Sequence, residues 1–278
     1  MVTVFELQNE SGTIRALGQY QTMTDASAGL PAGAYTTFRT YSGDRVVRLA
    51  GHFRRLEESL ALLGHTVRLD QNAAREAIAA ARESAGHPES RFRLTLVAGP
   101  PSRVFVAVEA FTPLPPADYA RGVRCVTVHA ERSNPHAKST DFISTADQTK
   151  RRLPAGVNEG LMVAEDGTLL EGLSSNFFAL TGRTLHTEEA RALAGLTRAL
   201  VLEVAASDGL AIVRRGIGLA DVPNVEECFI TSVSREILPV VGIDDQQIGS
   251  GAPGPRTRAL MAAFADLAQR EAQPILPR

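Results

Sequence analysis

Glu171-Gly172-Leu173-Ser174-Ser175-Asn176-Phe177-Phe178 is the stretch whose reading decides the fold. It lies between the strand-like Thr168-Leu169-Leu170 and a strand read over Asn176 to Leu180. A carboxylate and a serine-rich turn thus stand where one strand of a mostly-β region gives way to the next. The string is not a nucleophile elbow, because Asn176 takes the place of the last glycine in Gly-x-Ser-x-Gly.

Upstream, a proline cluster, Thr112-Pro113-Leu114-Pro115-Pro116-Ala117-Asp118, denies the chain both helix and ladder hydrogen bonds. It predicts a linker over 114–120, between a first domain, 1–113, and a larger second domain, 121–278. In the first domain a strand-like run over Thr36 to Leu49 precedes a helix over His52 to Leu63, which carries Phe53, Leu56, Leu60 and Leu63 on one face. A second helix (Asp70 to Ala85) and a hairpin (Arg91 to Val97 with Val104 to Phe111) complete a small α+β domain. The second domain reads as mostly β: Val123 to His129, a hairpin about Asp166-Gly167, and Asn176 to Leu180, with helices near Gly195 to Ser207 and Pro255 to Ala272.

Composition narrows the function. The chain has 278 residues and a formal net charge of −2, with no basic block and no tryptophan, which argues against nucleic acid as a partner. Six histidines show no metal-ligand spacing, so no metal site is expected. Ser-x-x-Lys and a glycine-rich nucleotide loop are also absent. No apolar run approaches the ~18 residues of a membrane span, and the N-terminus lacks a basic leader. Cys125 and Cys228 sit in apolar runs and read as reduced core residues, so the expected location is cytoplasmic.

Lysine is scarce: Lys138 and Lys150 stand against 27 arginines. Arginine replaces lysine at a surface but cannot serve as a nucleophilic amine, because its guanidinium stays protonated. A retained lysine is therefore a candidate for chemistry. Lys150, in the polar run Gln148-Thr149-Lys150-Arg151-Arg152, reads as solvated. Lys138 follows Ser133-Asn134-Pro135-His136-Ala137 and precedes Glu171 by 33 residues.

Read together, Lys138, the Glu171 string, Gly195-Leu196-Thr197-Arg198 at a helix start, and Phe229-Ile230-Thr231-Ser232-Val233-Ser234 leaving a strand resemble the pyridoxal-phosphate-dependent class IV aminotransferase family. Gly33-Ala34-Tyr35-Thr36-Thr37-Phe38-Arg39 and His52-Phe53-Arg54-Arg55-Leu56 fall where that family has its first-domain motifs. The resemblance covers roughly residues 30 to 265. It implies a small α+β domain, a larger pseudo-barrel domain, pyridoxal 5'-phosphate between them, and a homodimer. It also implies an aminotransferase that moves an amino group between an amino acid or amine and a 2-oxo acid through a Schiff base on Lys138. Alternatives on the same scaffold are a lyase that converts aminodeoxychorismate to 4-aminobenzoate and pyruvate, and a non-catalytic relative.

The resemblance assigns roles residue by residue. Lys138 is the catalytic amine, and Glu171 faces the cofactor's pyridine nitrogen. Arg55, Leu196, Thr197, Ser232, Val233 and Ser234 surround the phosphate. Ser175 and Asn176 join the cofactor set, while Tyr35 and Arg93 meet the substrate. A helix start suits a phosphate because its N–H groups lack partners. The chain departs from the family at Val233, where a hydroxyl is usual, at Thr36, where an acid is usual, and in the absence of a tyrosine about five residues after Lys138.

Overall fold

The computed structural model describes residues 1–130 and 132–277. The chain divides into two units, one made of Met1–Thr112, Ala137–Thr145 and Ala268–Arg278, the other of Pro113–His136 and Ala146–Leu267.

In the first unit, β1 (Val2–Leu7), β2 (Ile14–Tyr20), α1 (Met23–Ala28), β3 (Ala34–Arg39), β4 (Arg45–Val47), α2 (Leu49–Leu62), α3 (Gln71–Ala85), β5 (Ser90–Val97) and β6 (Arg103–Ala110) follow in order. Five strands form an antiparallel sheet in the order β2-β1-β6-β5-β3. Alternation along each strand sends Phe38, Phe92, Leu94 and Val106 into one core with Phe53, Leu56 and Leu60 of α2 and Ile78 of α3. Asp70 caps α3, its carboxylate accepting from the N–H groups of Asn72 and Ala73, and Gly86 ends the helix in the left-handed region at φ 66°.

Two segments fall outside the division that the prolines suggested. Ala137–Thr145, which carries Lys138, joins the first unit because Ser139 forms an antiparallel bridge with Ala34 on the outer edge of β3. The C-terminal segment joins it because Ala272–Pro274 pairs with β4 and Arg75 donates to the Ile275 carbonyl. These pairings span over a hundred residues, so no local pattern announces them.

In the second unit α4 (Pro116–Arg121) opens inside the expected linker; Pro116 stands at its first turn, where a missing N–H costs nothing. There follow β7 (Val123–Val128), α5 (Asp141–Lys150, which starts in the first unit's segment), β8 (Val157–Val163), β9 (Leu169–Gly172), β10 (Ser175–Thr181), β11 (Thr184–His186), α6 (Leu196–Ser207), β12 (Ala211–Val213), β13 (Glu227–Ser232), β14 (Glu236–Ile243), β15 (Gln246–Gln247) and α7 (Pro255–Glu271). The sheet runs β12-β11-β10-β13-β14-β7-β8-β9, and a further pairing of β9 with β10 closes its larger part into a ring. Leu161, Phe177, Ile230, Leu238 and both cysteines fill a common core, the cysteines as free thiols. This is the mostly-β, barrel-like unit that the sequence led us to expect.

Candidate active site

The β9–β10 closure sets out the second unit's polar row. Glu171 pairs with Asn176 across the hairpin, and Asn176 pairs with Thr231 on β13, so the three side chains stand abreast on one face. Phe177 and Ile230, one residue along, point the other way into the core. Glu171 is buried, and its Oε1 accepts from Arg132 Nε at 2.8 Å. Its Oε2 accepts from Asn176 Nδ2 and from the Leu193 N–H, each at 3.2 Å. Thr231 Oγ1 is buried with no hydrogen-bond partner.

The start of α6 abuts this row. A Cβ on Gly195 would lie 2.1 Å from Asn176 Oδ1, so only glycine permits the approach. No side chain caps the helix, which leaves its leading N–H groups at Leu196 and Thr197 available to an anion. Val233 and Ser234 occupy the turn after β13.

In the first unit Lys138 is held through its backbone. Its N–H donates to Ser59 Oγ at 3.1 Å, and its carbonyl accepts from the Tyr35 N–H at 2.9 Å. Its Nζ lies 4.7 Å from the centre of the Tyr35 ring, and the Arg93 guanidinium lies 4.9 Å from the same centre. Thr37 on β3 pairs with Arg93 on β5, which makes Tyr35 and Arg93 diagonal neighbours on one face. Arg93 Nη1 donates to the Met23 carbonyl and to Ser27 Oγ.

On α2, buried His52 shares a 2.7 Å hydrogen bond with Thr36 Oγ1, the hydroxyl that stands where the family favours an acid. Burial first, then the Arg55 and Lys138 charges, push His52 well below the usual histidine range, so the ring is neutral. Arg55 has a buried Nη2 with no hydrogen-bond partner, and burial pulls its guanidinium down to about 10. The residue is half-buried, and a buried donor left unused on a cation is costly unless an anion completes it.

The remaining two serines face elsewhere. Ser175 lies on the core side of β10, where its hydroxyl donates to Glu159 Oε2 at 3.1 Å, and Ser232 Oγ accepts from the Arg235 N–H. Neither hydroxyl belongs to the row of Glu171, Asn176 and Thr231, because alternation along a strand turns neighbours to opposite faces. Glu159 is the centre of this second cluster. It meets Arg235 Nη1 at 2.7 Å, Ser174 Oγ at 2.8 Å and Lys150 Nζ at 3.5 Å. Lys150, at the end of α5, is 31% exposed and pairs with Glu159 as well as meeting solvent.

Burial alone would raise the Glu159 pKa, but Arg235, then Lys150, and the Arg235 and Ser174 hydrogen bonds hold it at about 2, against an ordinary 4.5. The folded state thus gains stability above pH 4.5 and loses it as pH falls toward 2. The shift corresponds to roughly 3 kcal/mol. Denaturant unfolding followed across that range should show the loss in the wild type and a flatter profile in Glu159→Gln. Equal slopes in the two proteins would reject the assignment.

Glu171, Asn176, Leu196 and Thr197 thus come together in the second unit, as do Tyr35, Arg93 and Lys138 in the first. Sequence reasoning missed Arg132, Glu159 and Arg235. Arg132 is one of 27 arginines, and nothing local marks it as the partner of an acid 39 residues on. Among the described residues no group of three or more histidine, cysteine or acidic side chains is placed to hold a metal. Nor is any described helix long and apolar enough to cross a membrane.

Residues 33–243 match the family described as Amino-transferase class IV. A putative branched-chain-amino-acid aminotransferase of Methanocaldococcus jannaschii is 30% identical over 162 residues, 56% of either chain. A D-alanine aminotransferase of Bacillus licheniformis is 31% identical over 150 residues, 53% of this chain and 49% of that one. The matched region thus spans about half the length of these curated relatives. Among solved structures, a branched-chain amino acid aminotransferase of Escherichia coli superposes with a TM-score of 0.79 at 19% identity, over 99% of each chain. Another branched-chain amino acid aminotransferase, solved with pyridoxamine 5'-phosphate, gives 0.81 at 20%, over 99% of this chain and 98% of that one. A putative branched-chain amino acid aminotransferase of Thermotoga maritima gives 0.77 at 22%, over 96% of each. At these identities the structural likeness concerns the fold.

Proposed function

This chain belongs to the class IV aminotransferase family, and from that premise we propose that it is a pyridoxal-phosphate-dependent aminotransferase acting between an amino acid and a 2-oxo acid. The observation that carries the reading is the row of Glu171, Asn176 and Thr231 beside the uncapped start of α6. The donor set fits the cofactor. A buried carboxylate suits a protonated pyridine nitrogen, uncapped N–H groups and the unpartnered Arg55 Nη2 suit a phosphate dianion, and a lysine amine suits an aldehyde. Names of relatives that are branched-chain and D-alanine aminotransferases support amino acids as donors.

Pyridoxal phosphate, when bound, supplies an electron sink for the pair left as the substrate's Cα–H bond breaks. This chain's residues do the rest. Glu171, fixed by Arg132, Asn176 and the Leu193 N–H, holds a proton at the ring nitrogen. The N–H groups of Leu196 and Thr197 and the Val233–Ser234 turn would hold the phosphate, and the family resemblance assigns Arg55 to the same group. Because Val233 offers no side-chain donor, the grip there rests on backbone amides and Ser234. Lys138 Nζ, as a neutral amine, would take the Cα proton and deliver it to the cofactor's C4′ carbon, a task suited to an amine on a fixed backbone. Tyr35 and Arg93 line the substrate side of Lys138. The same reading makes the protein a cytoplasmic homodimer.

The test is direct. Purified protein mixed with pyridoxal phosphate and then freed of unbound ligand should retain visible absorbance, and a panel of amino donors with 2-oxoglutarate or pyruvate should show amino transfer. Absence of both would overturn the reading. Pyruvate release from aminodeoxychorismate without amino transfer would replace it with the lyase.

A further inference from the structure

Among the buried charged clusters that the cofactor reading leaves unused is the one centred on Glu159. Glu159 lies on β8 and is fully buried, and its partners come from separate stretches of chain. Ser174 and Ser175 belong to the turn and first residue of the β9–β10 hairpin, the same hairpin that carries Glu171 and Asn176. Arg235 belongs to the turn that carries Val233 and Ser234, and its Nη2 also donates to Ser174 Oγ at 3.0 Å. Lys150 closes the cluster from α5, donating to Ser174 Oγ at 2.6 Å. Gly172 has no room for a Cβ, which would lie 2.2 Å from Ser175 Oγ and 2.8 Å from Glu159 Cγ.

We propose that Glu159 is a positioning residue that ties the Glu171–Asn176 hairpin to the Val233–Ser234 turn, so that the ring-holding and phosphate-holding groups keep one spacing. The proposal rests on the cofactor reading above. Glu159 touches neither end of the cofactor; it fixes the distance between the groups that do. A ligand gripped at both ends binds more tightly than its halves because the second contact forms at a high effective concentration, and that advantage depends on the spacing. An apolar plug would fill the same space, yet it would not bridge the two turns by directed bonds.

The experiment titrates the full chain, freed of cofactor, with three probes by calorimetry: pyridoxal phosphate, pyridoxal, and inorganic phosphate. Glu159→Gln weakens the whole bridge. Arg235→Met severs the turn from the hairpin while Lys150 keeps Glu159 paired, so it decides the question even if the first variant does not fold. Both should raise the Kd of pyridoxal phosphate about 10-fold or more while changing that of pyridoxal and of inorganic phosphate less than about twofold. Arg235→Lys, which retains a donor cation, should recover part of the loss. A merely structural residue would weaken all three probes alike, and that result, or an unchanged pyridoxal phosphate affinity in folded Arg235→Met, overturns the proposal. Wild-type protein that binds no pyridoxal phosphate overturns the cofactor reading itself.

Discussion

Lys138→Ala is expected to lower kcat by at least ~10³-fold while leaving the fold intact. The argument for intact folding is that the structure grips this residue by its backbone. Ser59 accepts its N–H, the Tyr35 N–H meets its carbonyl, and Ser139 next to it bridges to Ala34. The side chain adds a contact over the Tyr35 ring, of a kind worth on the order of 1–2 kcal/mol for a cation beside a tyrosine. Lys138→Arg sharpens the test. It restores a cation over that ring but no nucleophilic amine, and should be as inactive as the alanine variant. The absorbance of the lysine imine with pyridoxal phosphate, fixed to the chain by borohydride in the wild type, should vanish in both. A variant that keeps a tenth or more of wild-type turnover would remove Lys138 from its assigned role.

Glu171→Ala is expected to act on stability as well as on chemistry. The Glu171 and Arg132 side chains are only 2% and 6% exposed. Removing the carboxylate takes from a buried guanidinium the acceptor of its Nε, and breaking such a buried pair costs about 3–5 kcal/mol. It also removes the acceptor that orients Asn176 Nδ2 and the Leu193 N–H. Denaturant unfolding should show that loss, and Glu171→Ala/Arg132→Met should recover much of it by deleting the other buried charge of the pair. Catalysis separates the two roles: the double variant should remain inactive, since nothing then holds a proton at the cofactor ring. A single variant that loses less than about 1 kcal/mol would show that Arg132 is not dependent on Glu171.

Much of this fold could be read from local pattern. The apolar face of α2, the cap that opens α3, the β5–β6 hairpin and the β9–β10 string are encoded within a few residues of themselves. What escaped reading depends on distant partners. The parallel pairings of β7 with β14 and β8 join segments by long-range contacts, and α5 has a polar sequence with only Ile143 buried. Glu159 reads as an ordinary acid in Val157–Val163 until Arg235, 76 residues later, reaches it. The candidate site divides likewise. The roles proposed for Lys138 and Glu171 rest on the few residue types that can do such chemistry, whereas Arg132 is hidden among 27 arginines. The resemblance places Ser175 and Ser232 in the cofactor set, and strand alternation sets their side chains on the face opposite Glu171, Asn176 and Thr231.

The bridge between Ser139 and Ala34 has a consequence for solubility. β3 is the outermost strand of its sheet, and an open outermost strand offers a template on which other chains can add. Here the segment that presents Lys138 lies along that margin and occupies the Ala34–Tyr35 groups, with Thr140 bonded to Gly33 beyond them. Any sequence change that loosens this segment therefore does two kinds of harm. It displaces the amine, and it bares a strand margin to aggregation, so variants selected for altered chemistry near residue 138 carry a built-in risk of poor expression.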